Sequence, residues 1–256
     1  MRDKKIILVF GSIAAVSFIL MIAFQLISVN LFGFKGSVFR TETSVLIKKY
    51  VTIEVTNIPL NINTYNGEDI KINYVNETDL IIEETMHDIL IKQDPDFSFS
   101  LFSKDQLNYR MDVSLPDRIY NSVSIITTSG EVNLDYLYTK ELKINSRSGD
   151  IKVSDTGGRI DIQSDSADVD ISFLELDDTV NINTISGNVT VLMPERKEPK
   201  LTFLSESGLF TGNFFRFDYK DYRGDLFMQM GEDPKAFHVV TKSGNLMFLK
   251  RILHEN

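Results

Sequence analysis

One short phrase recurs along this chain at near-constant spacing: a hydroxyl residue, a variable residue, Ser, Gly and usually an acidic or amide residue. The copies run Thr127-Thr128-Ser129-Gly130-Glu131, Ser146-Arg147-Ser148-Gly149-Asp150, Ser164-Asp165-Ser166-Ala167-Asp168 and Thr184-Ile185-Ser186-Gly187-Asn188. Two more follow, Ser205-Glu206-Ser207-Gly208-Leu209 and Thr241-Lys242-Ser243-Gly244-Asn245. Successive Gly (or Ala167) positions are 19, 18, 20, 21 and 36 residues apart. A period near 20 marks a repeat architecture, because each unit alone is too small to bury its own apolar face. The gap of 36 reads as two periods, one of which has lost its phrase.

Strict alternation flanks each copy. Leu142-Lys143-Ile144-Asn145, Ile160-Asp161-Ile162-Gln163 and Val180-Asn181-Ile182-Asn183 precede it, and Ile151-Lys152-Val153, Val169-Asp170-Ile171 and Val189-Thr190-Val191 follow. Period-two alternation of β-branched and polar residues gives strands with one dry face and one wet face. Each repeat is thus strand, corner, strand, then a looser second corner such as Thr156-Gly157-Gly158. The corner glycines Gly130, Gly149, Gly187, Gly208 and Gly244 are expected to supply positive φ. In phase, Ser146, Ser164, Thr184 and Thr241 face inward, where a small hydroxyl can satisfy corner backbone. Two strands per coil, related by translation, predict an all-β parallel solenoid. The competing layout is an antiparallel β-sandwich of hairpins, since Ser-Gly-Asp also suits tight hairpins.

At the N-terminus, Arg2, Lys4 and Lys5 precede an apolar run from Ile6 to Ile27. About 22 residues at helical rise span roughly 33 Å, enough for a bilayer core. No A-x-A-like site follows, so the run reads as an uncleaved signal anchor, with residues 6–29 in the lipid bilayer. The basic tip argues for a cytoplasmic N-terminus and an extracytoplasmic remainder. The chain has no cysteine, which excludes disulfides and a lipoprotein anchor. Setting aside Arg2, Asp3, Lys4 and Lys5 leaves 24 basic against 35 acidic residues. That excess makes nucleic acid or an anionic surface a poor partner.

The expected organisation is a tip and anchor over residues 1–33 and a β-repeat domain over 34–256. Within the domain, Thr64-Tyr65-Asn66-Gly67-Glu68-Asp69 reads as a divergent corner. Excursions near 95–112 and 209–236 break the rhythm, the second rich in aromatic residues. Solenoid ends need such atypical segments as caps.

The anchor, the alternating strands, the phased corner phrases and two Val-x-Leu/Met-Pro segments (Val113-Ser114-Leu115-Pro116 and Val191-Leu192-Met193-Pro194) resemble one bacterial family. It is the β-strand-repeat family labelled as adhesins, which includes LiaG-like proteins of Gram-positive envelope-stress operons. The resemblance covers roughly residues 50 to 250. It implies a membrane-attached β-repeat domain outside the cell, with an adhesin, envelope-module or sensor role and no family catalytic residues.

The residues offer little chemistry of their own. Asp161, Asp168 and Asp170 form the best carboxylate group for a polysaccharide-cleaving enzyme, with Asp168 and Asp170 on one outward face. The plainer reading is a solvated polar face balanced by Lys143, Lys152 and Arg159. His87, His238 and His254 share no metal-ligand or triad spacing. Glu131, Asp150, Asp168 and Asn188 would stack into an oxygen-rich edge, but calcium wants about six to eight oxygens. Corner capping explains them, so no metal or cofactor is expected. The better binding candidate is the insert: Phe215, Phe217, Tyr219 and Tyr222, interleaved with Arg216, Lys220 and Arg223. It suits contact with an envelope protein or glycan, or capping of the open solenoid end.

Overall fold

The structure, a computed structural model, describes residues 40–75, 80–93, 110–194, 199–214, 217–229 and 234–251. The apolar run at 6–27, most of the 95–112 excursion, Phe215 and His254 lie outside the described residues. Among the described residues every regular element is a strand. The order opens with β1 (Arg40–Leu46) and the coil of β2 (Tyr50–Val55) and β3 (Leu60–Tyr65). β4 (Asp69–Val75) and β5 (Leu80–Glu84) lead to a coil of β6 (Asp88–Gln93) and β7 (Met111–Pro116). Four coils follow: β8 (Ser122–Thr127) with β9 (Val132–Asp135), β10 (Tyr138–Ser146) with β11 (Ile151–Ser154), β12 (Gly157–Ser164) with β13 (Val169–Ser172), and β14 (Val180–Thr184) with β15 (Val189–Pro194). Next come the coil of β16 (Lys200–Ser205) and β17 (Leu209–Phe214), then β18 (Phe217–Arg223) and β19 (Leu226–Gln229). The coil of β20 (Ala236–Thr241) and β21 (Leu246–Arg251) comes last.

Each coil gives one strand to each of two sheets. The first sheet runs β1-β4-β7-β3-β9-β11-β13-β15-β21-β17-β18, and the second runs β19-β16-β20-β14-β12-β10-β8-β2-β6-β5. Pairing between coils is parallel throughout. The antiparallel pairs all involve the strands that close the two ends: β1 with β4, β4 with β7, β5 with β6, β18 with β17 and β19 with β16. The fold is therefore a parallel β-solenoid, and the hairpin sandwich is confined to its ends.

Translation of one coil onto the next aligns like with like. In the second sheet Ile91, Ile53, Ile125, Ile144, Ile162, Ile182, Val239 and Phe203 form one inward column. In the first sheet Met111, Leu60, Val132, Ile151, Val169, Val189, Leu246 and Phe210 form another. All of these are buried. Stacked β-branched residues at strand spacing pack closely, and this burial supplies most of the driving force.

Sequence order and spatial order part company at both ends. The coil β6/β7 is made after β2/β3 but lies outside it, and the chain then steps back across to β8/β9. At the other end β16/β17 lies outermost, and the later coil β20/β21 sits between it and β14/β15. The two strands that precede these step-overs, β7 and β15, are the two Val-x-Leu/Met-Pro segments. Each runs six residues where β9, β11 and β13 run four. Proline suits the end of such a strand, since it has no N–H to leave unpaired.

Two expectations about the ends are thereby corrected. The 36-residue gap between Gly208 and Gly244 holds no coil without its phrase; it holds the antiparallel strands β18 and β19. Thr64–Asp69 is not a corner between sheets, because β3 and β4 both belong to the first sheet. The corner of that first coil is Thr56-Asn57-Ile58-Pro59, where the Gln93 side chain does the capping, accepting from the Thr56 N–H at 2.8 Å.

Candidate binding surface

The corner phrase can be accounted for residue by residue. Its first hydroxyl is buried and accepts the N–H at the Gly position: Thr127 from Gly130 at 3.0 Å, Ser164 from Ala167 at 2.7 Å, Thr184 from Gly187 at 2.9 Å and Thr241 from Gly244 at 2.8 Å. Ser146 instead donates to the Gly149 carbonyl at 2.7 Å. The third residue is an exposed serine that donates across to the neighbouring coil, as Ser148 does to Thr128 O at 3.2 Å and Ser186 to Asp165 O at 3.4 Å. The fifth residue forms a ladder. Asp168 Oδ1 accepts the Asn188 N–H at 2.7 Å, Asn188 Oδ1 accepts the Asn245 N–H at 3.1 Å, and Asn245 Oδ1 accepts the Leu209 N–H at 2.8 Å.

The glycines have a different reason from the one expected. Gly130, Gly149, Gly187, Gly208 and Gly244 all lie outside the left-handed region; among the described residues the glycines within it are Gly158 (φ 91°) and Gly224 (φ 107°). What the stack demands is absence of a side chain. A Cβ on Gly149 would lie 2.0 Å from Gly130 O, and one on Gly187 would lie 1.7 Å from Ala167 O. Ala167 is the one methyl this column admits, and it is fully buried. The second residue of the phrase, Thr128, Arg147, Asp165, Ile185, Glu206 or Lys242, varies most widely in chemistry.

The carboxylates of the enzyme reading do not all converge: Asp168 and Asp170, two residues apart, stay together at β13, and Asp161 stands apart from them. Asp161 lies on the outer face of the second sheet and Asp170 on that of the first. Asp168 is bonded into the corner ladder. Among the described residues no three His, Cys, Asp or Glu side chains gather where they could hold a metal ion. His87 sits in the exposed β5–β6 turn and His238 on β20.

The aromatic insert closes the solenoid end. Tyr219 is half-buried against the core, its ring edge-on to Phe210 at 5.8 Å and to Tyr222 at 5.7 Å. Phe210 in turn meets Phe203 at 6.0 Å, so aromatic packing runs unbroken from the core into the cap. Tyr222 is exposed, and Phe217 begins β18 opposite Phe214. Phe227, on the edge strand β19, is 70% exposed. Elsewhere in the core, burial pushes the Tyr120 hydroxyl well above the usual phenol range, against a weaker opposing pull from Arg118. That hydroxyl donates to Pro116 O at 3.0 Å.

Sequence reasoning did not find the shallow groove of about 610 Å³ along the outer face of the second sheet. Its floor is one register column: Ile126, Asn145, Gln163, Asn183 and Val240. Arg147, Asp165 and Ile185 stand along the corner side. The signal was present as the Asn, Gln and Asn that directly precede the phrase in β10, β12 and β14.

The sequence model of the Toastrack DUF4097 family matches residues 25–247. Among solved structures, a Clostridium sporogenes protein named for cell adhesion aligns at 15% identity and a TM-score of 0.47, over 83% of this chain and 100% of that one. A Bacteroides fragilis protein named as an adhesin aligns at 10% identity and a TM-score of 0.44, over 82% of this chain and 96% of its own. No curated protein matches the chain.

Proposed function

We propose that this chain, which belongs to the Toastrack DUF4097 family, works by binding: it is a membrane-anchored, extracytoplasmic β-solenoid that presents its outer faces to a component of the cell envelope. The anchor is the apolar run at residues 6–27, with the basic tip inside and the solenoid outside. The observation that carries the reading is how the repeat spends its chemistry. In the phrase the first hydroxyl is taken up within its own corner, while the serine, the glycine and most of the fifth residues are taken up by contacts with the neighbouring coil. Of the carboxylates of the enzyme reading, Asp161 stands on the other sheet from Asp170, and Asp168 is bonded into the corner ladder. What remains is a rigid surface whose variable positions are exposed, which suits an adhesin or scaffold. Crosslinking in intact cells with the full chain, followed by mass spectrometry, tests this. Crosslinks from outer-face residues to one envelope component are expected. Hydrolysis of an envelope polysaccharide by the purified chain, lost on Asp168→Asn or Asp170→Asn, would overturn it in favour of an enzyme.

A further inference from the structure

The solenoid carries three outward columns of amide-bearing side chains, and they differ in one respect. On the first sheet, Asn133 donates to Asn61 at 3.1 Å and Asn61 to Asp112 at 2.7 Å. At the corner, Asn245 donates to Asn188 at 3.1 Å and Asn188 to Asp168 at 3.3 Å. Those amides are used up within the protein. In the groove of the second sheet, Asn145 and Asn183 make no side-chain hydrogen bond among the described residues, and Gln163 makes only a long one to Asp161 at 3.4 Å. Three exposed amides therefore stand one coil apart, about 4.8 Å, with their donors and acceptors turned to the groove.

We propose that this groove binds an extended, uncharged β-linked polysaccharide laid across the strands, one sugar ring to a coil. This rests on the binding reading above and names the ligand class. A β-linked hexopyranose chain is a ribbon whose rings advance by a distance close to the strand spacing and turn over alternately. An amide carries two donors and an acceptor, so it can meet either ring orientation. Ile126 and Val240 at the ends of the floor, and Ile185 at the side, offer apolar surface to the C–H faces of the rings. The groove's charges cancel, since Arg147 pairs with Asp165 at 4.0 Å. The chain's net charge of −9 disfavours an anionic polymer. A peptide is a worse fit, because an extended polypeptide takes its backbone bonds at a sheet edge, not on a sheet face.

Calorimetric titration of the full-length chain in detergent with chitin oligosaccharides of two to six rings tests the assignment, with an α-linked glucan as control. Affinity is expected to rise with each ring up to three, one per amide, and the α-linked chain is expected not to bind. Replacing Asn145, Gln163 and Asn183 together by Ala should weaken the six-ring ligand by about tenfold or more. The same positions changed to Thr, which favours strands, should do likewise with an unchanged melting temperature, while Asp170→Ala on the other sheet should have no effect. No saturable binding, or binding that survives both triple variants, overturns the proposal. If crosslinking still captures one envelope component while the oligosaccharides fail, the groove assignment falls and the binding reading stands. If both fail, both fall.

Discussion

The guanidinium of Arg251 closes on the carboxylate of Asp155, 96 residues earlier in the chain, with both nitrogens engaged and the second contact at 3.1 Å. Arg251 also donates to Phe173 O at 3.2 Å. Asp155 is buried and left-handed, at φ 54°, in the second corner after β11. Arg251 ends β21, which lies two strands along the first sheet beyond β13. The pair therefore clasps the β20/β21 coil to the middle of the stack, and the hydrogen bond to Asp155 raises the pKa of Arg251 further above its ordinary value.

Arg251→Ala should cost about 2–4 kcal/mol, because it strands a buried carboxylate. Urea denaturation measures this. A midpoint equal to that of the parent would mean that the clasp contributes nothing.

Gly149→Val and Gly187→Val should each cost about 2–4 kcal/mol, through collision with the neighbouring carbonyl and not through φ strain. Gly149→Ala should cost less, since a methyl is the smallest intrusion. Unchanged melting in all three would remove the stacking argument.

The full chain should stay with membranes through carbonate washing and keep its N-terminal residues. Soluble protein beginning near residue 30, seen by N-terminal sequencing, would make the apolar run a cleaved signal peptide.

Tyr219→Ser should lower stability by about 2–3 kcal/mol, since it breaks the aromatic path from Phe210 into the cap. Tyr222→Ser and Phe215→Ser should reduce partner capture, with the exposed Tyr222 costing less than about 0.5 kcal/mol of stability. Thermal melting and pull-down recovery on the same variants separate the two roles. Capture that survives both of these substitutions would leave the insert as a cap alone.

Much of this was legible in the sequence because a repeat reports the same physics several times over. Alternation across Ile160–Gln163 and Val180–Asn183 showed which side chains go inward. Thr184 and Thr241 showed that the inward face carries a hydroxyl at the corner, where buried backbone needs a partner. The glycines were located but given the wrong reason, since Gly with positive φ and Gly under a neighbouring carbonyl look alike in one dimension. The ends were less legible. Residues 209–236 were identified as an excursion, but spacing cannot distinguish a coil without its phrase from two antiparallel strands. Nor could Pro116 and Pro194 reveal that the chain steps over a coil after each. The Arg251–Asp155 clasp was invisible because any of several basic residues could have met any of many acidic ones. In the sequence the groove amides are polar members of the alternation like any other, and their lack of partners appears only beside the Asn61 and Asn188 ladders.

The intercalated position of β20/β21 sets a condition on how the molecule is made. A chain that emerges N-terminus first delivers β16/β17 while the place beneath it is still empty. That coil must either wait or dock one step too early, directly on β14/β15, where its Ser205-Glu206-Ser207-Gly208 phrase would also fit. Completion of this solenoid therefore requires either that β16/β17 be held off until the last coil is made or that it move aside to admit that coil.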